Sequence, residues 1–254
     1  MRNVLAIAGK ELRSYFASPI AYVVVGLYAL LFGWFFYAIL VYFAEQSMRM
    51  GMMGPASVNV NQMMVRPLMM NASVIVLFLL PMITMRTFAE EKKSGTFELL
   101  LTAPLTDLQI ILGKFVGAMA LYALMLLVTL LDIGLLFYYG NPEWKPIATA
   151  YLGLLLMGGC FVSVGLFISS LTKNQIVAGF ITFTAFLMLW VINWIADTAG
   201  PVTRQVVSFL SITEHYDDFV KGVIDTKHLV YYASFITFGL FLTAKSVDSE
   251  RWRG

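Results

Sequence analysis

The chain has 254 residues, of which 59% are apolar and only 13% are charged, and its mean hydropathy is +0.79. Soluble domains average about 45–50% apolar and about 25% charged residues, so this composition excludes an ordinary soluble domain and predicts a polytopic membrane protein. The net charge of +2 argues against nucleic acid binding, which needs a clustered basic face.

Six stretches with few charges are long enough to cross a membrane. A hydrocarbon core of about 30 Å needs about 20 helical residues at 1.5 Å each. The expected spans are residues 19–43, 67–88, 109–138, 146–171, 175–196 and 228–245. The sequence therefore predicts an all-α membrane protein with six transmembrane helices, built as a single domain over residues 1–254.

Residues 2–17 precede the first span and have the pattern of an amphipathic helix. One face carries six apolar residues, and the basic residues lie on the opposite face, with Ile7 as the exception; the apolar residues are Val4, Leu5, Ala8, Leu12, Tyr15 and Phe16. A helix of this kind lies in the membrane interface. We therefore expect membrane lipid to contact it.

The second notable feature is a methionine-rich segment between the first two spans. Eight of the fifteen methionines lie between Met48 and Met70. Thioethers are soft ligands that suit Cu(I), which makes Met48, Met50, Met52 and Met53 weak candidates for a copper site. No His or Cys joins them. We favour the alternative, that flexible methionines fill a loop at the membrane surface.

Residues 86–108 link the second and third spans. Gly95 breaks a charged helical end, Thr96 can begin a new short helix, and Pro104 stops it. This short helix carries Phe97, Leu100 and Leu101 as apolar residues, which makes it a ready element for docking a partner. Phe97, Leu100 and Leu101 are expected to be exposed. Thr106 and Gln109 have the spacing of a capping box that opens the third span.

Asp132 is the one carboxylate inside an expected span. An ionisable group at membrane depth suggests a proton or ion pathway, but Asp132 lies toward the end of its span, where water can reach it, and we favour that interpretation. No catalytic group lies at membrane depth, so an intramembrane enzyme is disfavoured. The chain has no Gly-x-x-x-x-Gly-Lys-Ser/Thr motif, so ATP binding through a P-loop is excluded.

The segment 197–227 is expected to lie outside the membrane before the sixth span. Ser211 and Glu214 have capping-box spacing. Downstream, six apolar residues share one face of a predicted amphipathic helix: Ile212, Tyr216, Phe219, Val220, Val223 and Ile224. We expect this helix to pack on the ends of the spans.

The placement of lysine and arginine predicts the orientation of the chain. Cytoplasmic loops carry an excess of these residues. One side would carry eleven of them: Arg2, Lys10, Arg13, Arg86, Lys92, Lys93, Lys114, Lys173, Lys245, Arg251 and Arg253. The other side would carry six: Arg49, Arg66, Lys145, Arg204, Lys221 and Lys227. Both termini are therefore expected to be cytoplasmic.

The segment MRTFAEEKKSGTFELLLTAPLTD at 85–107, followed by ILGK at 111–114, resembles the signature of type-2 ABC transporter permeases, the membrane subunits of exporter-type complexes. Other segments narrow the likeness to the gliding-motility-associated subgroup. These are 58–62 with 66–68, 214–226 and 243–253. Together the resemblance extends over nearly the whole chain.

The resemblance implies a function and a set of partners. Residues 2–17 would be the cytoplasmic elbow helix, and 86–108 would contain a coupling helix seated on a separate ATPase. The residues at that interface would be Glu90, Glu91, Lys92, Lys93, Phe97, Glu98, Leu100, Leu101 and Pro104. Two ATPase subunits and a second permease copy or paralogue would complete the unit in the bacterial inner membrane. This chain would bind no cofactor, because the ATPase would use the ATP and Mg²⁺.

Alternatives remain open within and beyond this family. The complex could transmit ATP-driven motion to a periplasmic partner at 197–227 instead of exporting a substrate. The alternative from another class is an ATP-independent channel or a structural membrane scaffold, and a copper-handling permease is a minor one. A channel or scaffold predicts no ATPase partner and no effect of changing residues 90–104.

Overall fold

The computed structural model describes residues 1–53, 59–102, 104–198 and 209–251, without the side chains of residues 50–53, 101 and 193–198. Within these ranges the regular elements are helices, which confirms the predicted fold class. They are α1 (Arg2–Ala17), α2 (Ile20–Met53), a π-helical turn (Asn61–Val65) that continues into α3 (Arg66–Thr84), α4 (Ala89–Ser94), α5 (Phe97–Thr102), α6 (Asp107–Tyr139), α7 (Trp144–Leu171), α8 (Gln175–Thr198), α9 (Ile212–Val220) and α10 (Thr226–Arg251).

Six of the described helices are long and apolar enough to cross a membrane. They are α2, α3 with the π-helical turn before it, α6, α7, α8 and α10. The helices α3 and α7 run in the same direction, because each contacts α9 near its beginning and lies beside the α4 segment at its end. We refer to the two ends of the bundle as the α9 end and the α4–α5 end.

The core is built around α3 and α7, whereas α2, α8 and α10 are the least buried spans. Lipid tails are as apolar as leucine side chains, so membrane helices associate through close packing and polar contacts. Gly158 of α7 provides such a contact. A Cβ at Gly158 would lie 2.1 Å from Cε1 of Tyr122 on α6, and the Tyr122 hydroxyl donates a hydrogen bond to the Leu154 carbonyl at 2.8 Å.

Helix α1 packs along the first half of α6, where Gly113 and Gly117 leave room for it. A Cβ at Gly113 would lie 2.6 Å from Cβ of Ile7. Ile7, the exception to the predicted apolar face, is buried at this contact, whereas Leu5 of the predicted face is exposed. Glu11 is also buried on this face, where an ion pair with α6 compensates its charge.

Local capping signals operate as predicted. The Thr106 side chain and Gln109 form both bonds of a capping box at the start of α6. Ser211 accepts a hydrogen bond from the Glu214 amide at the start of α9. Gly95 ends α4 with a φ of +73°, which a glycine adopts without the penalty of a Cβ.

Helix α9 lies against α7 and α3 with its apolar face inward. Ile212, Tyr216, Phe219 and Val220 are buried as predicted. Val223 and Ile224 are about half exposed, so their predicted inward position is wrong: α9 ends at Val220, and the chain turns at Gly222 with a φ of +89°. Residues 199–208 of the predicted external segment lie outside the described residues.

We predict that Gly158→Ala lowers the thermal unfolding midpoint of the purified protein in detergent. The new methyl group must displace Tyr122 from a filled core, and overpacking of this kind costs about 1–3 kcal/mol. Gly134→Ala on α6 is the matched control, because nothing lies within 4 Å of a Cβ there. Equal midpoints for the two variants would show that the contact between α6 and α7 tolerates expansion.

Candidate functional site

The α4–α5 segment is a short charged element held between the second and third spans. The sequence favours α4 as a helix because Glu90 and Glu91 lie in its first turn and Lys92 and Lys93 in its last turn. Each sign of charge is then near the opposite end of the helix dipole. Helix α5 follows directly after Gly95.

A buried lysine of α6 connects this segment to α1. Lys114 is fully buried, and its Nζ lies 2.9 Å from Glu11 Oε1 and 2.8 Å from Glu91 Oε2. It also donates a hydrogen bond to the Thr87 carbonyl at 2.7 Å and lies 5.0 Å from the ring centre of Phe88. A buried charge requires such full compensation, so α1, α4 and α6 are joined at one point.

Glu91 bridges two lysines. Its Oε1 accepts a hydrogen bond from Lys10 of α1 at 2.7 Å, while its Oε2 pairs with Lys114. Burial by itself lowers the pKa of Lys10, but the hydrogen bond and charge of Glu91, together with the charge of Glu11, outweigh burial and raise that pKa. Lys10 therefore remains charged at neutral pH. We call Glu11, Glu91 and Lys114 the buried ion cluster; Lys10 lies at its exposed edge.

A second joint ties α4 to α7 and α10. Lys92 forms an ion pair with Glu250 of α10 at 2.5 Å and donates a hydrogen bond to the Ser170 carbonyl of α7. The Ser169 hydroxyl oxygen accepts hydrogen bonds from the backbone amides of Phe88 and Ala89 at 3.0 and 3.1 Å. A side chain of α7 thus caps the beginning of α4, whose own N-cap residue makes no side-chain bond.

A third joint fixes the turn before α4. Arg86 donates two hydrogen bonds to the carboxylate of Glu90, at 2.7 and 2.8 Å. It donates another to the Ser18 hydroxyl at 2.8 Å, between α1 and α2. The paired geometry of a guanidinium and a carboxylate is among the stronger polar contacts in proteins.

The predicted apolar anchors do not all face outward. Phe97 is only 4% exposed, and the centre of its ring lies 6.1 Å from that of Phe88. The ammonium group of Lys92 lies over the ring of Phe97. The prediction that Phe97 is exposed is therefore wrong, because its ring fills the space beneath Lys92. Leu100 is partly buried against the core, and the Leu101 side chain lies outside the described residues.

Among the described side chains of α5, Leu99 is the large apolar one that is exposed, at 71% of its surface. Lys93, Glu98 and Pro104 are exposed with it. We call Lys93, Glu98, Leu99 and Pro104 the outer surface. Of the charged residues predicted to face a partner, Lys92 is buried and Glu91 is largely covered, so these two hold the segment in place instead.

Lys114 and Glu11 are the residues whose structural role sequence reasoning missed. Two opposite charges within otherwise apolar helical faces are a signal that could have indicated a buried pair. Their separation of 103 positions hides the partnership, because periodicity reports only neighbours on one helix.

The remaining sequence candidates lie elsewhere. Asp132 is partly buried on α6, beyond the middle of the helix and away from the α4–α5 segment. Met48 is exposed, and the side chains of Met50, Met52 and Met53 lie outside the described part of the chain. Within that described part, no group of three or more His, Cys, Asp or Glu could hold a metal ion. The copper site and an ion role for Asp132 stay predictions.

Comparison with known proteins shows which family the chain resembles. Residues 5–245 match the family described as ABC-2 family transporter protein. A relative from Escherichia coli (strain K12), "Probable multidrug ABC transporter permease YbhR", is 31% identical over 144 residues. The same figures hold for the protein of that name from Escherichia coli O157:H7. The alignment covers 56% of this chain and 38% of the length of those relatives.

We predict that Lys114→Met destabilises the folded protein by about 3–5 kcal/mol, because it leaves Glu11 and Glu91 buried without their shared cation. The measurement is the free energy of unfolding in detergent. Lys93→Met is the matched control, since Lys93 is exposed on the same segment, and it should change stability by less than about 0.5 kcal/mol. Similar losses in both variants would contradict a structural role for the buried ion cluster.

Proposed function

The chain belongs to the ABC-2 family of transporter proteins, and on that premise we propose that it is a permease that couples ATP hydrolysis by a separate ATPase subunit to movement of its own helices. The observation that carries the proposal is the fixation of α4. Buried polar contacts tie this helix to α1, α6, α7 and α10.

Such fixation is what a coupling element needs. A helix on a loose loop would absorb a displacement locally, whereas α4 cannot move without carrying Lys114 of α6 and Glu250 of α10 with it, or breaking their ion pairs with Glu91 and Lys92. Removing one partner of such a pair costs about 3–5 kcal/mol. When a partner displaces the outer surface, moving the attached helices together therefore costs less free energy than breaking these ion pairs.

The outer surface has the chemistry of a protein-docking site. Leu99 can enter an apolar pocket, and Lys93 and Glu98 supply charges of both signs at its rim. Central apolar anchors with a polar rim are typical of protein interfaces. We propose that an ATPase subunit binds here and holds the ATP and Mg²⁺, because the sequence contains no P-loop motif.

The complete unit that we propose contains two ATPase subunits and a second permease, either a copy of this chain or a paralogue. The α4–α5 end faces the cytoplasm of a bacterial inner membrane, which agrees with the excess of lysine and arginine expected on that side. The α9 end then faces the periplasm. Among family members we propose the gliding-motility-associated subgroup as the nearest, and either export or mechanical transmission to a periplasmic partner as the output.

We predict that Leu99→Asp disrupts binding of the ATPase while the protein still folds, because Leu99 is exposed. The measurement is co-purification in mild detergent from the native cell, with mass spectrometry for P-loop ATPases. Loss of a central anchor costs about 2 kcal/mol or more, so recovery of the ATPase should fall at least about tenfold.

Val223→Asp is the matched control. Val223 is also an exposed apolar residue, at 52% of its surface, but it lies at the α9 end, so this variant should retain the ATPase. Retention by Leu99→Asp would exclude the outer surface as the interface. Absence of any ATPase from intact wild-type protein would contradict the transporter proposal and favour a channel or a scaffold.

A further inference from the structure

The α9 end contains two histidines that the proposed function does not use. His215 lies on α9 and His228 in the first turn of α10, and both are buried. They are the two histidines of the whole sequence. Their Nδ1 atoms face each other at 2.6 Å.

The far nitrogen of each ring meets a group that only accepts hydrogen bonds. His215 Nε2 lies 3.0 Å from the Phe209 carbonyl oxygen, and His228 Nε2 lies 2.9 Å from Asp218 Oδ2. Burial by itself raises the pKa of Asp218, but hydrogen bonds from His228 and Lys221 outweigh burial and lower it. Asp218 is therefore a carboxylate at neutral pH, and both Nε2 atoms must carry hydrogen to make these bonds.

This leaves two Nδ1 lone pairs directed at each other. Such an arrangement is repulsive unless a cation lies between them. Bonds from nitrogen to Zn²⁺ measure about 2.0–2.1 Å each, so a metal ion would hold the two nitrogens farther apart than 2.6 Å. One proton fits the gap, and the two rings then carry three hydrogens on four nitrogens and a single positive charge.

We propose that His215 and His228 bind one shared proton, which fastens α9 to the start of α10 and makes this joint sensitive to pH on the α9 side of the membrane. With the proton bound, the bonds to Phe209, between the rings and to Asp218 are all made. When the proton leaves, at least one of the three is lost. The docked position of α9 is therefore favoured as the pH falls.

Charged groups around the pair belong to three elements. Asp217 and Lys221 lie with Asp218 on α9, Asp225 and Lys227 lie at the start of α10, and Arg66 of α3 forms an ion pair with Asp217 at 2.7 Å. The ring of Tyr231 stacks on His215 at 3.8 Å between centres. As a separate ring His215 has a lowered pKa, because burial, His228 and Lys227 outweigh the Phe209 carbonyl and Asp218, which raise it. Sharing the proton with Nδ1 of His228 at 2.6 Å opposes this lowering, because it adds the third hydrogen bond.

Loss of the shared proton affects more than the two rings, because α9 is also attached to two membrane-spanning helices. The Thr149 hydroxyl of α7 donates a hydrogen bond to the Phe219 carbonyl at 2.6 Å, and the Tyr216 hydroxyl donates one to the Met69 carbonyl of α3 at 3.3 Å. The histidine pair adds α10 to this arrangement. Loss of the shared proton thus weakens the contact between α9 and α10, while the contacts of α9 with α7 and α3 remain.

The test is nitrogen NMR of the full-length protein labelled with ¹⁵N-histidine in lipid nanodiscs, titrated from about pH 5 to pH 8, the range where histidines change charge. Two histidines produce only two sets of ring signals, and His215→Gln and His228→Gln assign them. We expect both rings to change at one common midpoint, because the proton is shared. In each single variant the remaining ring should titrate with its midpoint shifted by about one pH unit or more.

Asp218→Asn provides the directional check. Loss of the carboxylate removes a charge that stabilises the protonated pair, so the midpoint should move to lower pH. Asp217→Asn is the matched control, because Asp217 pairs with Arg66 and Lys221 instead of a histidine, and it should shift the midpoint less. Independent titration of the two rings, or signals that respond only after a chelator removes a metal ion, would overturn the proposal.

Hydrogen exchange tests the mechanical part. After correction for the intrinsic pH dependence of exchange, the amides of residues 212–220 should be better protected on the acidic side of the NMR midpoint. This step should vanish in His215→Gln and in His228→Gln. Protection that stays constant across the midpoint in the wild type would show that the proton does not control α9.

Discussion

Lys114 carries a positive charge in a place that water does not reach, so the protein must supply the compensating charges itself. Glu11 and Glu91 do so at 2.9 and 2.8 Å, and the Thr87 carbonyl takes a further hydrogen bond. These groups belong to different elements, and each must stay within hydrogen-bond distance of a single atom. The positions of α1, the turn before α4 and α6 are thereby made dependent on one another.

The rest of the α4–α5 end follows from this constraint. With the beginning of α4 fixed by Lys114 and capped by Ser169, its last turn brings Lys92 over the ring of Phe97 and against Glu250. Most of the charges on α4 are therefore committed to the protein itself. What remains for a partner is small and well defined, and Leu99 is its apolar centre.

The two ends of the bundle use the same physical strategy with different chemistry. Within a membrane the hydrophobic effect does little to hold one helix against another, so buried polar contacts and close packing must do so. At the α4–α5 end the polar contacts include ion pairs of lysine with glutamate. At the α9 end they include the facing rings of His215 and His228, for which we propose a shared proton.

The sequence alone determined the all-helical fold, the six membrane-crossing helices found in the described part of the chain, and several helix ends. These are local properties: membrane thickness sets the length of an apolar run, Gly95 can turn the chain without strain, and Thr106 caps the helix that directly follows it. The tertiary structure alone decided that Phe97 faces inward and that Lys114 meets Glu11, a residue 103 positions away. Such partnerships depend on which helices pack together and at what depth, and the periodicity of a single helix does not contain that information.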